Sequence, residues 1–200
     1  MRELPTELPA DLAPLSWLIG VWEGTGVIEY TAGEERFEGE FTHHVSFSHD
    51  GTGFLNYSAT AWMVASEGAE SIPLVAETGF WRIARPATAA DAGPALLPPT
   101  EDAPARTVHD VEALRAASGG FPIEVSLAHS DGALELYLGE VNGPRIDIAT
   151  DAIVRSAGGK EYGAASRMYG LVDGHMLWAW DIAALGAELA SHASARLARV

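Results

Sequence analysis

The chain has 200 residues, 48% hydrophobic and 20% charged, which suits one domain with a sizeable core. Its 28 acidic and 12 basic residues give a formal charge of −16, which argues against binding to nucleic acid or to anionic lipid. Because it has no cysteine, disulfides and thiolate-bound metals or clusters are excluded, and a metal or heme would need histidine or carboxylate ligands.

The localisation expected from the sequence is cytoplasmic. No apolar run reaches the length that spans a membrane. The opening residues Met1–Glu7 have mixed charge and lack the pattern of a signal peptide.

The amino-terminal region predicts a short helix over Leu12–Ile19, followed by the heptad Gly20–Gly26 with the pattern G-x-W-x-G-x-G. Gly20 and Gly24 give the backbone the freedom that a tight bend or bulge requires. Trp22 is a large apolar plug whose single N–H needs a partner when it is buried. Small antiparallel barrels often begin with such a strand, so the heptad Gly20–Gly26 indicates a ligand-binding barrel. The alternative is that it forms only a structural corner.

The rest of the chain alternates mostly as β-strands. In one stretch Phe41, His43, Val45 and Phe47 alternate with polar residues, which is the period of a half-buried strand. About ten short strands at regular spacing favour an up-and-down barrel or a sandwich. Phe54–Trp62 is a predicted strand, and a turn is predicted at Ser66–Ala69. The predicted strands that follow are Leu74–Ile83, Ile123–Ala128, Ala133–Glu140, Arg145–Val154, Ala164–Leu171 and Met176–Asp181.

Two segments depart from this rhythm. Arg85–Gly120 is rich in proline and alanine, so it predicts a surface insertion in a single domain of residues 1–200, with one helical turn within Val108–Ala117. Ala183–Arg199 places leucines, alanine and His192 at helical spacing, which predicts an amphipathic helix across the mouth or side of the barrel.

His192 is open to two interpretations. Spacing alone favours a core histidine satisfied by a backbone carbonyl. The functional interpretation is an axial heme ligand, a neutral imidazole presented to an apolar cavity.

The sequence as a whole resembles the nitrobindins, small heme proteins with a fatty-acid-binding-protein-like barrel. The resemblance covers most of the chain outside the insertion. It rests on the shared order of five motifs, namely Gly20–Gly26, Val45-x-Phe47-x-His49-x-Gly51, Glu77-Thr78-Gly79-Phe80-x-Arg82, Ala128-His129-x-x-Gly132 and Leu189-x-x-His192-x-x-x-x-Leu197.

The resemblance implies a ten-stranded antiparallel barrel with short amino- and carboxyl-terminal helices, carrying one ferric heme b per chain with His192 as iron ligand. It implies that the protein binds nitric oxide, isomerises peroxynitrite to nitrate and forms a homodimer through a barrel face. Lys160 matches a lysine that contacts the heme in the family if one gap is allowed. The alternative for Lys160 is a solvated lysine in a turn.

Two departures from the family pattern bear on activity. Tyr30-Thr31-Ala32-Gly33 stands where members usually have Tyr-Pro-Thr-Ile, and Val75 stands where many have a histidine on the open face of the heme. An apolar residue there removes a hydrogen-bond donor to bound ligand. The two departures favour an alternative function, a non-catalytic carrier of an apolar small molecule, whereas His192 disfavours it. A third alternative is a heme-coupled sensor that acts through a partner.

The other histidines and two tryptophans give weaker indications. His43 and His44 face opposite sides of a strand, and a metal site shared by His43 and His49 would need a bent chain. His49 and His129 are predicted to cap backbone groups in turns. Trp178 and Trp180 lie on the same face of one predicted strand. That face either lines a cavity or covers the outside of the barrel.

Overall fold

Ten antiparallel strands form a closed barrel in the computed structural model, which describes residues 8–32, 34–64, 70–102 and 106–200. Each strand pairs with the next along the chain, and the last pairs with the first, which confirms the predicted up-and-down barrel. The strands are β1 (Gly20–Ala32), β2 (Glu35–Ser48), β3 (Leu55–Met63), β4 (Ile72–Ile83), β5 (Phe121–His129), β6 (Ala133–Asn142), β7 (Arg145–Arg155), β8 (Tyr162–Val172), β9 (His175–Ala184) and β10 (Ala190–Arg199). The segment Met1–Glu7 and the predicted turn Ser66–Ala69 lie outside the described residues.

One end of the barrel is closed by the amino-terminal segment. A 3₁₀ helix, Ala10–Leu18, places Leu12, Leu15 and Leu18 in the core with no exposed surface. Trp22 is 1% exposed, and its Nε1 donates a hydrogen bond to the Leu18 carbonyl at 2.7 Å. The predicted helix and the predicted Trp22 corner are therefore confirmed. We call this the sealed end.

The glycines of the heptad have two different roles. Gly20 has a φ of +135°, a conformation that side-chain-bearing residues rarely adopt. Gly24 and Gly26 instead lie in extended strand where β1 approaches β10, and a Cβ on either would collide with backbone carbonyls of β10. Gly24 was expected to permit a bend, but it permits close strand approach.

The Pro/Ala-rich segment packs against the sealed end. Between β4 and β5 the described residues contain a 3₁₀ turn, Pro94–Leu96, and a short helix α1, Val108–Glu112, within the predicted helical stretch. Val111 of α1 is buried in the core. Arg106 Nε lies 2.9 Å from Asp11 Oδ1 of the 3₁₀ helix. The segment thus adds a second layer to the sealed end.

None of the helices in the described part of the chain is long and apolar enough to cross a membrane.

The predicted carboxyl-terminal helix is wrong. β9 ends at Ala184 and β10 occupies Ala190–Arg199, where Ala193, Ala195 and Leu197 face inward. The alanine-rich sequence has high helix propensity, but these residues are the ones that pair with β1 and β9 and close the barrel. When β10 pairs with both β1 and β9, the backbone hydrogen-bonding groups on both of their edges find partners. The stability gained in this way outweighs the local helix preference.

Candidate functional site

A cavity of about 520 Å³ occupies the end of the barrel opposite the sealed end. We call this the open end. The volume is within the range of small-molecule sites. Much of its wall is apolar and comes from β1 to β4, as shown by Ile28, Phe41, Ala61, Leu74 and Val75. The predicted apolar surface at Val75 is therefore a wall of this cavity.

His192 lines this cavity because of a bulge in β10. Ser191 pairs with Asp181 of β9 and Ala193 pairs with Trp180, the next residue toward the amino terminus, so His192 has no partner of its own. Such a bulge re-aims a side chain that regular alternation would send to the opposite face. The ring is half-buried, and burial lowers the pKa of His192 below its ordinary value. The neutral imidazole is therefore favoured.

Aromatic rings surround His192 on the cavity wall. The His192 ring stacks on Tyr30 with centroids 4.4 Å apart and planes 18° apart. Trp180 meets it edge-on at 5.6 Å and 75°. Trp178 lines the same cavity, so the face shared by Trp178 and Trp180 points inward, a question that the sequence left open.

Lys160 lies at the mouth of the cavity, in the connection between β7 and β8. Its side chain is 71% exposed, and its Nζ lies 3.9 Å from Asp131 Oδ2. A lysine in this position can reach a negatively charged group at the rim but does not enter the apolar interior.

A charged belt crosses the barrel between the cavity and the sealed end. We define it as Glu77, Glu135, His129 and Arg167, whose side chains come from β4, β6, β5 and β8. Arg167 Nη1 donates to Glu77 Oε1 at 2.6 Å, and its Nη2 donates to Glu135 Oε2 at 3.2 Å. Nε2 of His129 lies 2.6 Å from Glu135 Oε2. All four side chains are at most 7% exposed.

The belt is an ion-pair network whose electrostatics compensate for burial. Burial alone would raise the pKa of Glu77, but the charge and hydrogen bonds of Arg167 lower it to about 2. Tyr57 donates to Glu77 and Tyr137 donates to Glu135, so hydrogen bonds satisfy both carboxylates. Glu77, His129 and Glu135 are close enough to share a metal ion, but the guanidinium already pairs with both carboxylates.

Among the residues that the structure describes, His43, His44 and His49 are not brought together as ligands. His43 and His44 face opposite sides of β2, as predicted. His43 is inside the barrel with Nδ1 3.1 Å from the Thr60 carbonyl, whereas His49 accepts a hydrogen bond from the Gly51 N–H beyond the strand, as expected of a cap. A shared metal site is excluded, since the two are separated by roughly 20 Å of extended chain. The capping role predicted for His129 is wrong, because it ends β5 facing inward and joins the charged belt.

Sequence reasoning missed the belt and the rings around His192. Strand alternation contained a signal for the belt, since Glu77 shares the inward face of β4 with Trp81 and Ile83. A charged residue in an inward position of a strand requires a buried partner. The partner of Glu77, Arg167, lies ninety residues further along the chain, so only the closed sheet identifies it.

Comparison with known proteins identifies the family. Residues 11–199 match the profile described as THAP4-like, heme-binding beta-barrel domain. The chain belongs to this family. It is 59% identical to a peroxynitrite isomerase of Leifsonia xyli subsp. xyli (strain CTCB07), over 100% of this chain and 99% of that protein. It is 54% identical to a peroxynitrite isomerase of Clavibacter michiganensis subsp. michiganensis (strain NCPPB 382), over 100% of both chains.

The fold of this THAP4-like domain also matches a solved structure. The crystal structure of Rv2717c from M. tuberculosis superposes with a TM-score of 0.66 at 25% identity, covering 99% of each chain. The resemblance to heme-binding barrels drawn from the sequence motifs is thus confirmed over nearly the whole chain.

Proposed function

We propose that this THAP4-like domain holds one ferric heme b through His192, binds nitric oxide, and isomerises peroxynitrite to nitrate. The observation that carries the proposal is the β10 bulge, which turns an imidazole into an apolar cavity of about 520 Å³. Relatives that align over the full chain are named for this isomerase activity.

The residues present fit a heme. In the described part of the chain neither ring nitrogen of His192 makes a hydrogen bond to a protein group, so both are available to a metal ion. The apolar walls suit a large flat ligand that needs few polar anchors. Lys160 at the mouth is suited to pair with a heme carboxylate, which would be a charge-assisted contact.

The chain's own contribution is binding, orientation and exclusion of water. His192 would hold the heme iron through a ring nitrogen, and the bound heme would supply the chemistry of the isomerisation. Leu74 and Val75 offer no hydrogen-bond donor, so they form an apolar wall that keeps water out and retains small products. The overall charge of −16 repels anions, so the shape and apolarity of the cavity, rather than electrostatic steering, govern capture.

The second candidate is a non-catalytic carrier of an apolar small molecule, which the Val75 wall favours. It predicts ligand binding that does not depend on the imidazole of His192.

Hemin titration of the purified protein tests the proposal. We expect uptake of one heme per chain with a Soret band, and for His192→Ala a loss of affinity of at least tenfold with a changed spectrum. His44→Ala is the matched control, because His44 is on the outer face of β2 and should behave as wild type. Equal retention of heme by His192→Ala would remove the axial role, and absence of uptake by the wild type would leave the carrier.

Activity is then measured by stopped-flow decay of peroxynitrite together with nitrate yield. We expect faster decay with near-complete nitrate for the heme-loaded wild type and no acceleration for His192→Ala. Binding of nitric oxide without any effect on peroxynitrite would reduce the function to that of a passive nitric oxide binder.

We further propose a cytoplasmic location, a single domain over residues 1–200, and a homodimer that uses an outer barrel face. Exposed apolar side chains on β4 and β6 support the last point, with Phe80, Leu136 and Leu138 exposed by 52%, 38% and 43%.

A further inference from the structure

The His192 ring is held by aromatic contacts rather than by hydrogen bonds. Tyr30 covers one face of the imidazole at 4.4 Å with planes 18° apart, and the edge contact with Trp180 limits rotation. Neither ring nitrogen has a hydrogen-bond partner among the residues that the structure describes.

The stack continues beyond Tyr30 to a second aromatic ring. Tyr30 and Phe37 are directly opposite each other on β1 and β2, and their rings stack at 5.1 Å and 18°. Phe37, Tyr30 and His192 therefore form three layers, with an angle of 18° between neighbouring planes. The hairpin of β1 and β2 thus supplies two rings that stack on a ring that belongs to β10.

This arrangement differs from the usual support of a metal-binding histidine. Such histidines commonly donate their second N–H to a carboxylate or carbonyl, which fixes the ring and raises its basicity. Here the hydrogen bond is missing but the ring is still oriented. Something other than a hydrogen bond must therefore hold its plane.

We propose that Tyr30 is a positioning residue for His192, orienting the imidazole toward iron by stacking. This inference rests on the proposed heme function. Its consequence is an axial imidazole whose second nitrogen has no anionic acceptor, so its orientation depends on the ring face of Tyr30 and not on the Tyr30 hydroxyl. The energy of an aromatic pair corresponds to roughly two- to tenfold in an equilibrium constant.

Two measurements on the reconstituted protein test this role. The first is the rate of heme transfer to an excess of a heme scavenger. The second is the iron–histidine stretching band of the ferrous protein in resonance Raman spectra, which a general loss of stability would not shift. We expect Tyr30→Leu to release heme about fivefold faster, within the range above, and to shift or broaden the band. Tyr30→Phe retains the ring and should match wild type in both.

Further variants separate positioning from folding. Phe80→Leu is the matched control, since Phe80 meets Phe54 edge-on on the outer face of the barrel, and it should leave both measurements unchanged. Phe37→Leu removes only the outer layer of the stack and should accelerate release by less than Tyr30→Leu. It also provides the test if Tyr30→Leu does not fold.

The outcomes distinguish this inference from the proposed function. Wild-type release and an unshifted band in Tyr30→Leu, with heme lost by His192→Ala, would overturn the positioning role alone. Failure of Tyr30→Phe to restore both measurements would also overturn it, because the hydroxyl would then be the active group. Equal heme retention by His192→Ala would instead remove the axial ligand on which both proposals depend.

Discussion

The two ends of the barrel are built from the same strands but end in opposite states. At the sealed end large inward side chains fill the lumen, including Trp22, Phe47 and Trp81, which are at most 1% exposed. At the open end large rings such as Trp178 and Trp180 lie on the cavity wall, but inward positions of β3 and β10 hold the small residues Ala61 and Ala193, and about 520 Å³ remains open. The comparison teaches that the closed sheet sets the radius, whereas the sizes of inward side chains decide between core and binding site.

The charged belt forms the boundary between the two ends. A buried ion pair needs excellent geometry to repay the cost of desolvation, and removal of one partner leaves an unpaired buried charge. Arg167 bridges walls contributed by β4, β6 and β8. We infer that the belt gives the cavity a rigid floor.

The largest expected difference in stability comes from replacing a tryptophan by alanine at the sealed end rather than at the open end. Trp22→Ala should lower the free energy of unfolding by about 5 kcal/mol, at the upper end for large-to-small changes, because it leaves a cavity and removes a hydrogen bond. Trp180 borders an existing cavity, so Trp180→Ala should lower the free energy of unfolding by about 2 kcal/mol or less. Urea denaturation of the heme-free protein measures both. Equal costs would break the distinction between a filled and an open end.

Removal of the belt cation is next in size. Arg167→Met should destabilise the heme-free protein by about 4 kcal/mol, because Glu77 and Glu135 remain buried without their cation. Adding Glu77→Gln to this variant should recover part of the loss. Arg82→Met is the matched control, since Arg82 is 61% exposed in its pair with Glu124 and should cost less than about 1 kcal/mol. If Arg167→Met were as mild as the control, the belt would not be a structural floor.

The smallest effect is a pH dependence from His43, which is buried beside the belt. Burial lowers the pKa of His43 from 6.5 to about 4, against the opposing influence of Glu77, while the Arg167 charge lowers it further. Below pH 6.5 His43 therefore binds a proton in the unfolded chain but not in the folded chain. The free energy of unfolding decreases as the pH falls, until about pH 4. At about 1.4 kcal/mol per pH unit this corresponds to about 3 kcal/mol.

The measurement is urea denaturation of the heme-free protein at pH 7 and at pH 4.5. His43→Asn does not titrate and should lose less stability on acidification than wild type, whereas the exposed-site control His44→Asn should follow wild type. Glu77 acts in a separate window, since its lowered pKa of about 2 means that its contribution is lost only below about pH 4.5. An unchanged acid sensitivity in His43→Asn would assign the loss to another group.

Much of the fold could be predicted from the sequence because strand alternation is local. Inward and outward positions of β2 follow directly from period two, as His43 and His44 show. The carboxyl-terminal segment could not be predicted in this way, since alanine and leucine at helical spacing also fit a strand with small inward residues. His192 was identified through motif resemblance, yet the proposed helical route to the cavity was wrong.

Local sequence by itself determined the number of strands, the Trp22 corner and the apolar character of the chain, because these depend on residues near one another. Only the tertiary structure decided that Arg167 meets Glu77, that His129 joins the belt, and that a bulge turns His192 inward beneath Tyr30. These contacts join strands far apart in the chain. The physical reason is closure, since pairing β10 with both β1 and β9 outweighs the helix preference of its own residues.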